Sequence, residues 1–147
     1  MLPNWSFHLL ALTGFLVASS LAVAGEPAKV VVRLSDGSNG RMSLKLSPSK
    51  VPSGPVEFTI KNESRDMEHE FLFAPWSGPD SALPYDGKTQ QVKEDKVNGL
   101  QGVEDLRPRQ TVTARFTLTE GRYVLFCNEP GHYHDDMRAN LIVGAAK

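Results

Sequence analysis

The chain has 147 residues, with 16 Lys and Arg against 17 Asp and Glu, and a single cysteine. This length suits one domain with a substantial hydrophobic core and is too short for two comfortable ones. The nearly balanced charge gives no sign of a nucleic-acid partner.

The start of the chain has the character of an export signal. Residues 1–24 contain no Asp, Glu, Lys or Arg, and an apolar run extends from Leu9 to Ala24. This predicts a secretory signal peptide cut before Gly25, and one mature domain over residues 25–147. The run is short for a membrane span, so we expect a periplasmic or otherwise exported protein with no span in its mature form. An uncleaved anchor is the alternative, because the usual basic first segment is missing.

The mature chain shows a β-type pattern throughout most of its length, with no sustained helical periodicity. Val56, Phe58 and Ile60 alternate with polar neighbours, which is typical of a strand with one buried and one exposed face. Around seven or eight such strands separated by turn residues predict an all-β, Greek-key β-sandwich. The other strand-like runs lie at residues 30–34, 42–46, 69–74, 111–118, 123–126 and 139–143.

One stretch, residues 75–106, does not fit this pattern. It is polar, contains Pro79 and Pro84, and lacks alternation. We predict a long loop insertion with a helical turn near residues 88–95, and such long loops are usually functional or partly mobile. Trp76 is expected to cover apolar surface within it.

The lone cysteine begins the most informative motif. Exported domains normally pair their cysteines, so Cys127 is either an inert buried residue or a thiolate capped by a metal. The spacing C-x4-H-x4-M places Cys127, His132 and Met137 in one loop between two strands. Two histidines, a cysteine and a weak axial methionine form the blue-copper ligand set. His69 is the one histidine of the mature chain outside this loop, so it completes the set.

Two further residues compete for a place in the site. His134 is an alternative to His132, but it lies only two residues before Met137, and we interpret it as an exposed histidine. Met67 lies two residues before His69. It is either an extra soft contact for Cu(I) or an ordinary loop methionine, and we favour the second interpretation.

The segment Tyr-Val-Leu-Phe-Cys-Asn-Glu-Pro-Gly-His at residues 123–132, together with His-Glu-Phe at residues 69–71, resembles the plastocyanin/azurin family of cupredoxins. The azurin-like and rusticyanin-like branch is the most similar, and the resemblance covers most of residues 28–143. It implies outer-sphere electron transfer by one copper ion per chain, with both histidines binding through Nδ1 and the methionine as a long axial ligand. The implied ligands are His69, Cys127, His132 and Met137.

The resemblance also implies supporting roles for residues near the site. The backbone amides of Glu70 and Asn128 are expected to point at the cysteine sulfur, and Asn62 to tie the two ligand loops together. The chain departs from the family before the methionine, where Asp135 and Asp136 stand and a glycine is common, and at Arg109, where glycine is also common. We expect Asp136 to tolerate a left-handed backbone better than most residues do.

Several functions remain open from the sequence. The leading hypothesis, which the resemblance to the family implies, is a periplasmic one-electron carrier. In this hypothesis the electron leaves through His132, which is framed at the surface by Pro130, Gly131 and Tyr133. It would be a monomer that meets redox partner proteins. The alternative is a protein that binds copper and delivers it to a copper-accepting protein for homeostasis or resistance. A metal-free immunoglobulin-like binding module is the third. We expect no enzyme activity, because the three mature histidines cannot build the further copper sites that copper oxidases and nitrite reductases use.

Overall fold

The computed structural model describes residues 26–36 and 41–145. The predicted signal peptide therefore lies outside the described residues. Across those residues no helix is long and apolar enough to cross a membrane, and one short 3-10 helix spans Glu94–Lys96. The rest is strand and loop. The strands are β1 Ala28–Ser35, β2 Ser43–Ser47, β3 Lys50–Pro52, β4 Gly54–Asn62, β5 His69–Pro75, β6 Tyr85–Asp86, β7 Gln91–Val92, β8 Gln101–Leu106, β9 Thr111–Leu118, β10 Gly121–Phe126 and β11 Arg138–Gly144.

Two mixed sheets form the sandwich, which confirms the all-β prediction. One sheet has the order β2-β1-β4-β9 and the other β3-β11-β10-β5-β8. The pairs β1–β4 and β11–β3 are parallel, and the remaining pairs within these sheets are antiparallel. The strands predicted from alternation are all present, with ends that differ by only a few residues.

The main core lies between the two sheets. It receives the alternating apolar residues of β1 and β4 from one side and Phe71 and Phe73 of β5 from the other. The Phe58 ring lies 5.1 Å from the Phe71 ring and 5.7 Å from the Phe73 ring, centroid to centroid. Tilted aromatic pairs of this kind add about 0.5–1.5 kcal/mol each beyond their buried area. They stabilise the packing of the two sheets against each other.

The long insertion has a structural role that its polarity hides. Four consecutive residues are buried in each of β5 and β10, residues 71–74 and 123–126, so both faces of these strands are covered. Residues of the insertion pack on the outer face of their sheet. Leu83, Val92 and Val97 form a second apolar cluster there with Phe126 and other residues of β5 and β10. Trp76 packs against this cluster, as predicted. The insertion is therefore a cover over the sheet that carries the candidate site.

The prediction that residues 75–106 form one loop is wrong in part. A two-stranded hairpin, β6–β7, lies within it, and residues 101–106 form strand β8 at the edge of the second sheet. The helical turn lies at Glu94–Lys96, towards the end of the predicted stretch. Strand β8 lacks alternation partly because Gly102 must be small: a Cβ there would lie 2.1 Å from the carbonyl oxygen of Phe71.

Candidate metal centre

The strand topology brings the predicted ligands to one end of the sandwich. His69 is the first residue of β5, Cys127 directly follows β10, and Met137 directly precedes β11. Because β10 runs antiparallel to both β5 and β11, with Phe126 opposite Leu72 and Arg138, the end of β10 lies beside the starts of its two neighbours. Strand pairing therefore places His69 beside the loop that runs from Cys127 to Met137, although the two are far apart in the sequence.

Three of the four predicted side chains meet closely. The Nδ1 atoms of His69 and His132 lie 3.3 Å apart. The Cys127 Sγ lies 3.4 Å from Nδ1 of His132 and 3.9 Å from Nδ1 of His69. Donors bonded to a shared ion at roughly 2.0 Å for nitrogen and 2.3 Å for sulfur lie roughly 3.3–3.8 Å apart at tetrahedral to trigonal angles. The spacing therefore fits a single metal ion, bound through the δ nitrogens.

Met137 lies against this group but its role is not fixed by the same distances. Its side chain is fully buried and belongs to the same apolar cluster as Cys127. Its carbonyl oxygen accepts a hydrogen bond from the Cys127 backbone N–H at 3.1 Å, and its own N–H donates to the His132 carbonyl oxygen at 3.0 Å. These bonds fix the loop between the two strands. Axial ligation by Met137 stays a prediction.

The arrangement of the sheets is similar to that of several solved structures. An auracyanin from Roseiflexus castenholzii superposes with a TM-score of 0.53 and 22% identity, over 81% of this chain and 98% of that one. A rusticyanin superposes with a TM-score of 0.60 and 19% identity, over 89% and 86%. Rusticyanin from Thiobacillus ferrooxidans gives 0.55 and 20%, over 80% and 79%. The chain has the cupredoxin fold. No protein-family model matches the sequence, and no curated protein does.

In this structure the two residues that competed for a place in the site, His134 and Met67, are both exposed. His134 is exposed, as predicted, and its ring stacks on Tyr85 with centroids 3.8 Å apart and planes 9° apart. Met67 is an exposed loop residue, and its carbonyl oxygen accepts from Asn62. Within the described residues, the closely gathered group of histidine, cysteine and acidic side chains is His69, Cys127 and His132.

The predicted environment of the sulfur is half right. The Glu70 backbone N–H donates to Cys127 Sγ at 3.2 Å. This amide is free to do so because the pairing of β5 with β8 is irregular between His69 and Phe71. The second amide directed at the sulfur belongs to Glu129, not to Asn128.

Asn128 and Asn62 hold other parts of the structure than we expected. The Asn128 side chain accepts from the Val92 N–H at 2.6 Å and donates to the Glu94 carboxylate at 2.7 Å, so it fastens the insertion to the ligand loop. Asn62 donates to the carbonyl oxygens of Met67 and Leu106, not to the Cys127 loop. The link between the two ligand loops is instead made by Glu70.

Two departures from the family pattern fall where backbone geometry explains them. Asp136 and Arg109 have φ of 64° each, in the left-handed region that favours glycine. The Asp136 carboxylate accepts from Arg138 at 2.7 Å and pairs with Arg41 at 3.2 Å. Aspartate is therefore accommodated at this bend before Met137, as predicted.

Contrary to the prediction from the sequence, Tyr133 does not frame His132 at the protein surface. Its side chain is fully buried, and its hydroxyl donates to the Asp80 carbonyl oxygen at 2.6 Å and accepts from the Leu83 N–H at 3.0 Å. The Tyr133 hydroxyl therefore holds residues 80–83 of the insertion against the ligand loop. His132 is partly exposed, beside the exposed Pro130 and the partly exposed Gly131.

Burial keeps the metal-free site neutral at pH 7. Burial raises the pKa of the Cys127 thiol to about 12, against the opposing effect of the Glu70 and Glu129 amides. Burial, followed by the proximity of His132, lowers the pKa of His69 to about 4. Burial also lowers the pKa of His132. A bound metal must therefore displace the thiol proton, while both imidazoles are already free to bind.

Glu70 is a second unusual group beside the site. Burial, with the nearby charges of Glu129, Glu94 and Glu104, raises its pKa to about 7, and a hydrogen bond from the Asn128 backbone opposes this. Its Oε2 atom is buried and has no hydrogen-bond partner among the described residues. Below the ordinary pKa of 4.5 this carboxyl is neutral in both the folded and the unfolded chain. Its favourable contribution to stability is thus complete there, falls as the pH rises from 4.5 to about 7, and is absent above that range.

We therefore expect Glu70→Gln to stabilise the metal-free protein at pH 8.5 and to have a smaller effect at pH 5. Since the group is only partly buried, the gain is about 1 kcal/mol after solvent screening, or roughly 3–5 °C in Tm for a domain of this size. Thermal unfolding followed by circular dichroism at both pH values measures it. Glu120→Gln, at an exposed acid, is the control and should change Tm little. Equal effects of Glu70→Gln at the two pH values would contradict the assignment.

Proposed function

We propose that this protein is a type 1 copper protein that carries single electrons in the periplasm. The convergence of the His69 and His132 Nδ1 atoms with the Cys127 sulfur is the observation that carries the proposal. Copper bound there would supply the one-electron change between Cu(II) and Cu(I). The chain supplies a fixed set of ligands around it.

The donor set favours copper over other metals. Two imidazoles, one thiolate and a thioether at a longer distance are the ligands of blue-copper sites. Structural zinc sites normally use four strong ligands, and the fourth residue here, Met137, offers only a weak thioether. One ion per chain follows from the single cluster of this kind in residues 26–36 and 41–145.

Burial favours a carrier over a copper-delivery protein. His69, Cys127 and Met137 are each 0% exposed. A chelator or partner would have to displace three buried side chains to remove the ion, whereas an electron needs no such opening. The rigid sandwich beneath the site also limits reorganisation when the copper changes oxidation state.

His132 provides the route for the electron. It is the partly exposed member of the cluster, so a redox partner protein can approach its ring. The structures with a similar fold include a dithionite-reduced auracyanin and a reduced rusticyanin, which are proteins studied in a reduced state.

The periplasmic location rests on the signal-peptide pattern of residues 1–24. That the protein is not an enzyme stays a prediction, which rests on the three histidines of the mature chain being too few for the further copper sites of copper oxidases and nitrite reductases.

A paired experiment separates the carrier from the delivery protein. The copper-loaded protein is first examined by cyclic voltammetry, and the reduced form is then held with excess Cu(I) chelator. We expect a reversible one-electron wave and retention of Cu(I) over hours. Rapid loss of Cu(I) to the chelator would instead support copper delivery, and an irreversible wave would contradict a carrier role.

The axial position offers a separate prediction. Met137→Leu should keep copper and raise the reduction potential, because loss of a donor disfavours Cu(II). We expect a shift on the order of 60 mV, about tenfold in a one-electron equilibrium. Met42→Leu is the matched control, since Met42 packs against the same core, and it should leave the potential nearly unchanged. Complete loss of copper from the Met137 variant would indicate a strong ligand in another geometry.

A further inference from the structure

A hydrogen-bonded chain lies behind His69, on the side away from the metal-type cluster. The His69 Nε2 atom is 2.7 Å from the Ser64 hydroxyl oxygen. That hydroxyl donates to Oδ1 of Asp36 at 3.1 Å. Both Ser64 and His69 are 0% exposed, so water does not compete for these bonds. Asp36 directly follows β1, Ser64 lies in the turn before β5, and His69 is the first residue of β5.

The hydrogen-bond donors and acceptors of Asp36, Ser64 and His69 have one consistent arrangement. An ionised carboxylate only accepts hydrogen bonds, and a serine hydroxyl has one proton to give. Because Ser64 gives its proton to Asp36, the short contact to His69 requires that Nε2 carries a proton and donates it. The neutral ring then has its lone pair on Nδ1, the atom that faces Cys127 and His132. The hydrogen bonds from His69 to Ser64 and from Ser64 to Asp36 therefore select the Nε2–H tautomer, which leaves Nδ1 free to bind a metal.

Ser64 is itself held in place for this role. Its backbone N–H donates to the Asn62 side-chain oxygen at 2.9 Å, and the Asn62 side-chain nitrogen donates to the carbonyl oxygens of Met67 and Leu106. The neighbouring Glu63 N–H donates to the Leu34 carbonyl oxygen at 2.8 Å. The turn is thus fastened to strands β1, β4 and β8.

We propose that Ser64 and Asp36 are positioning residues for the copper site: they fix the tautomer and orientation of His69 and increase its electron donation to the metal. Imidazole ligands that donate their second N–H to a carboxylate or another acceptor are oriented by it and become more basic. A more basic ligand stabilises Cu(II) over Cu(I) and lowers the reduction potential. The part that concerns the potential rests on the proposed copper function, whereas the part that concerns the tautomer does not.

The first test uses the metal-free protein. Long-range proton–nitrogen NMR of the histidine rings at pH 7 reports which nitrogen carries the proton. We expect the Nε2–H form alone at His69 in the wild type, and a mixture of both tautomers in Ser64→Ala. A wild type with the proton on Nδ1 would overturn the proposal, and it would do so whether or not the protein binds copper.

The second test uses the copper-loaded protein and voltammetry. Ser64→Ala and Asp36→Asn should each shift the equilibrium towards Cu(I) by about three- to tenfold, or about 30–60 mV for one electron. Ser64→Thr keeps the hydroxyl and should restore a potential near that of the wild type. Ser53→Ala, at a partly buried serine between β3 and β4, and Asp66→Asn, at an exposed acid of the same turn, are the controls.

The outcomes distinguish a positioning role of Ser64 and Asp36 from an effect of charge alone. An unchanged potential in both Ser64→Ala and Asp36→Asn would overturn the effect on the metal, and an equal shift in Asp66→Asn would assign it to charge alone. Should Ser64→Ala fail to fold, Asp36→Asn carries the test, because Asp36 is only partly buried. A protein that takes up no copper but has the Nε2–H tautomer at His69 would refute the proposed function and leave the tautomer assignment intact.

Discussion

Replacing Cys127 with serine is expected to abolish the intense visible absorption of the copper-loaded protein completely. Only a thiolate donates charge to Cu(II) strongly enough to produce that colour, and the chain has no other cysteine to replace it. Serine is close in size, so the packing around the buried position 127 should be preserved. Absorption spectra of both proteins after addition of one equivalent of Cu(II) measure the change.

The control for this variant is its metal-free fold. The far-UV circular dichroism of the Cys127→Ser protein should match that of the wild type, which separates loss of the ligand from loss of the structure. Copper uptake should also weaken, because a hydroxyl is a poor replacement for a thiolate that makes bonds to a soft ion. A Cys127→Ser protein that stays blue would refute the ligand assignment.

The two histidines of the ligand loop should respond in opposite ways to substitution. His132→Ala removes a donor whose Nδ1 lies 3.3 Å from that of His69 and 3.4 Å from the cysteine sulfur. We expect loss of the blue spectrum and at least a tenfold weaker affinity for copper, since a ligand bond is worth more than the 1.4 kcal/mol that a factor of about ten represents. Because His132 is only partly buried, the variant should still fold.

His134→Ala is the matched control on the same loop. It removes a ring that stacks on Tyr85 and lies outside the cluster. The visible spectrum, the copper affinity and the reduction potential should be nearly those of the wild type. If His134→Ala removed the colour while His132→Ala kept it, the wrong histidine would have been assigned to the metal.

Much of the fold follows from local sequence pattern. Strands β1, β4 and β9 are visible because one face is apolar and the other polar, as in Val56, Phe58 and Ile60. Strand β8 is not visible, because Gly102 and two acidic residues interrupt its alternation. The pairing of β8 with β5 depends on a close backbone contact that no local pattern encodes. The covering role of the insertion is hidden likewise, since its few apolar residues are scattered among polar ones.

Part of the candidate site can likewise be predicted from the sequence, and part of it cannot. The spacing of Cys127, His132 and Met137 is a short-range pattern between two strands, and the sequence alone predicts it. The partners of Glu70, Asn62 and Ser64 are set by residues roughly 5 to 60 positions away, across separate strands. A turn serine is an unremarkable residue in a sequence, and only the folded chain reveals its position behind His69. Hydrogen-bond networks of this kind therefore need the structure.

The visible and EPR spectra of the purified protein with one equivalent of Cu(II) test the central claim most directly, because they report the ligand set and the geometry together. The account predicts an intense blue thiolate-to-copper absorption and an EPR signal with the small copper hyperfine splitting of a type 1 site, saturating at one ion per chain. A pale solution with the EPR signal of ordinary tetragonal Cu(II), or no specific uptake at all, would contradict it.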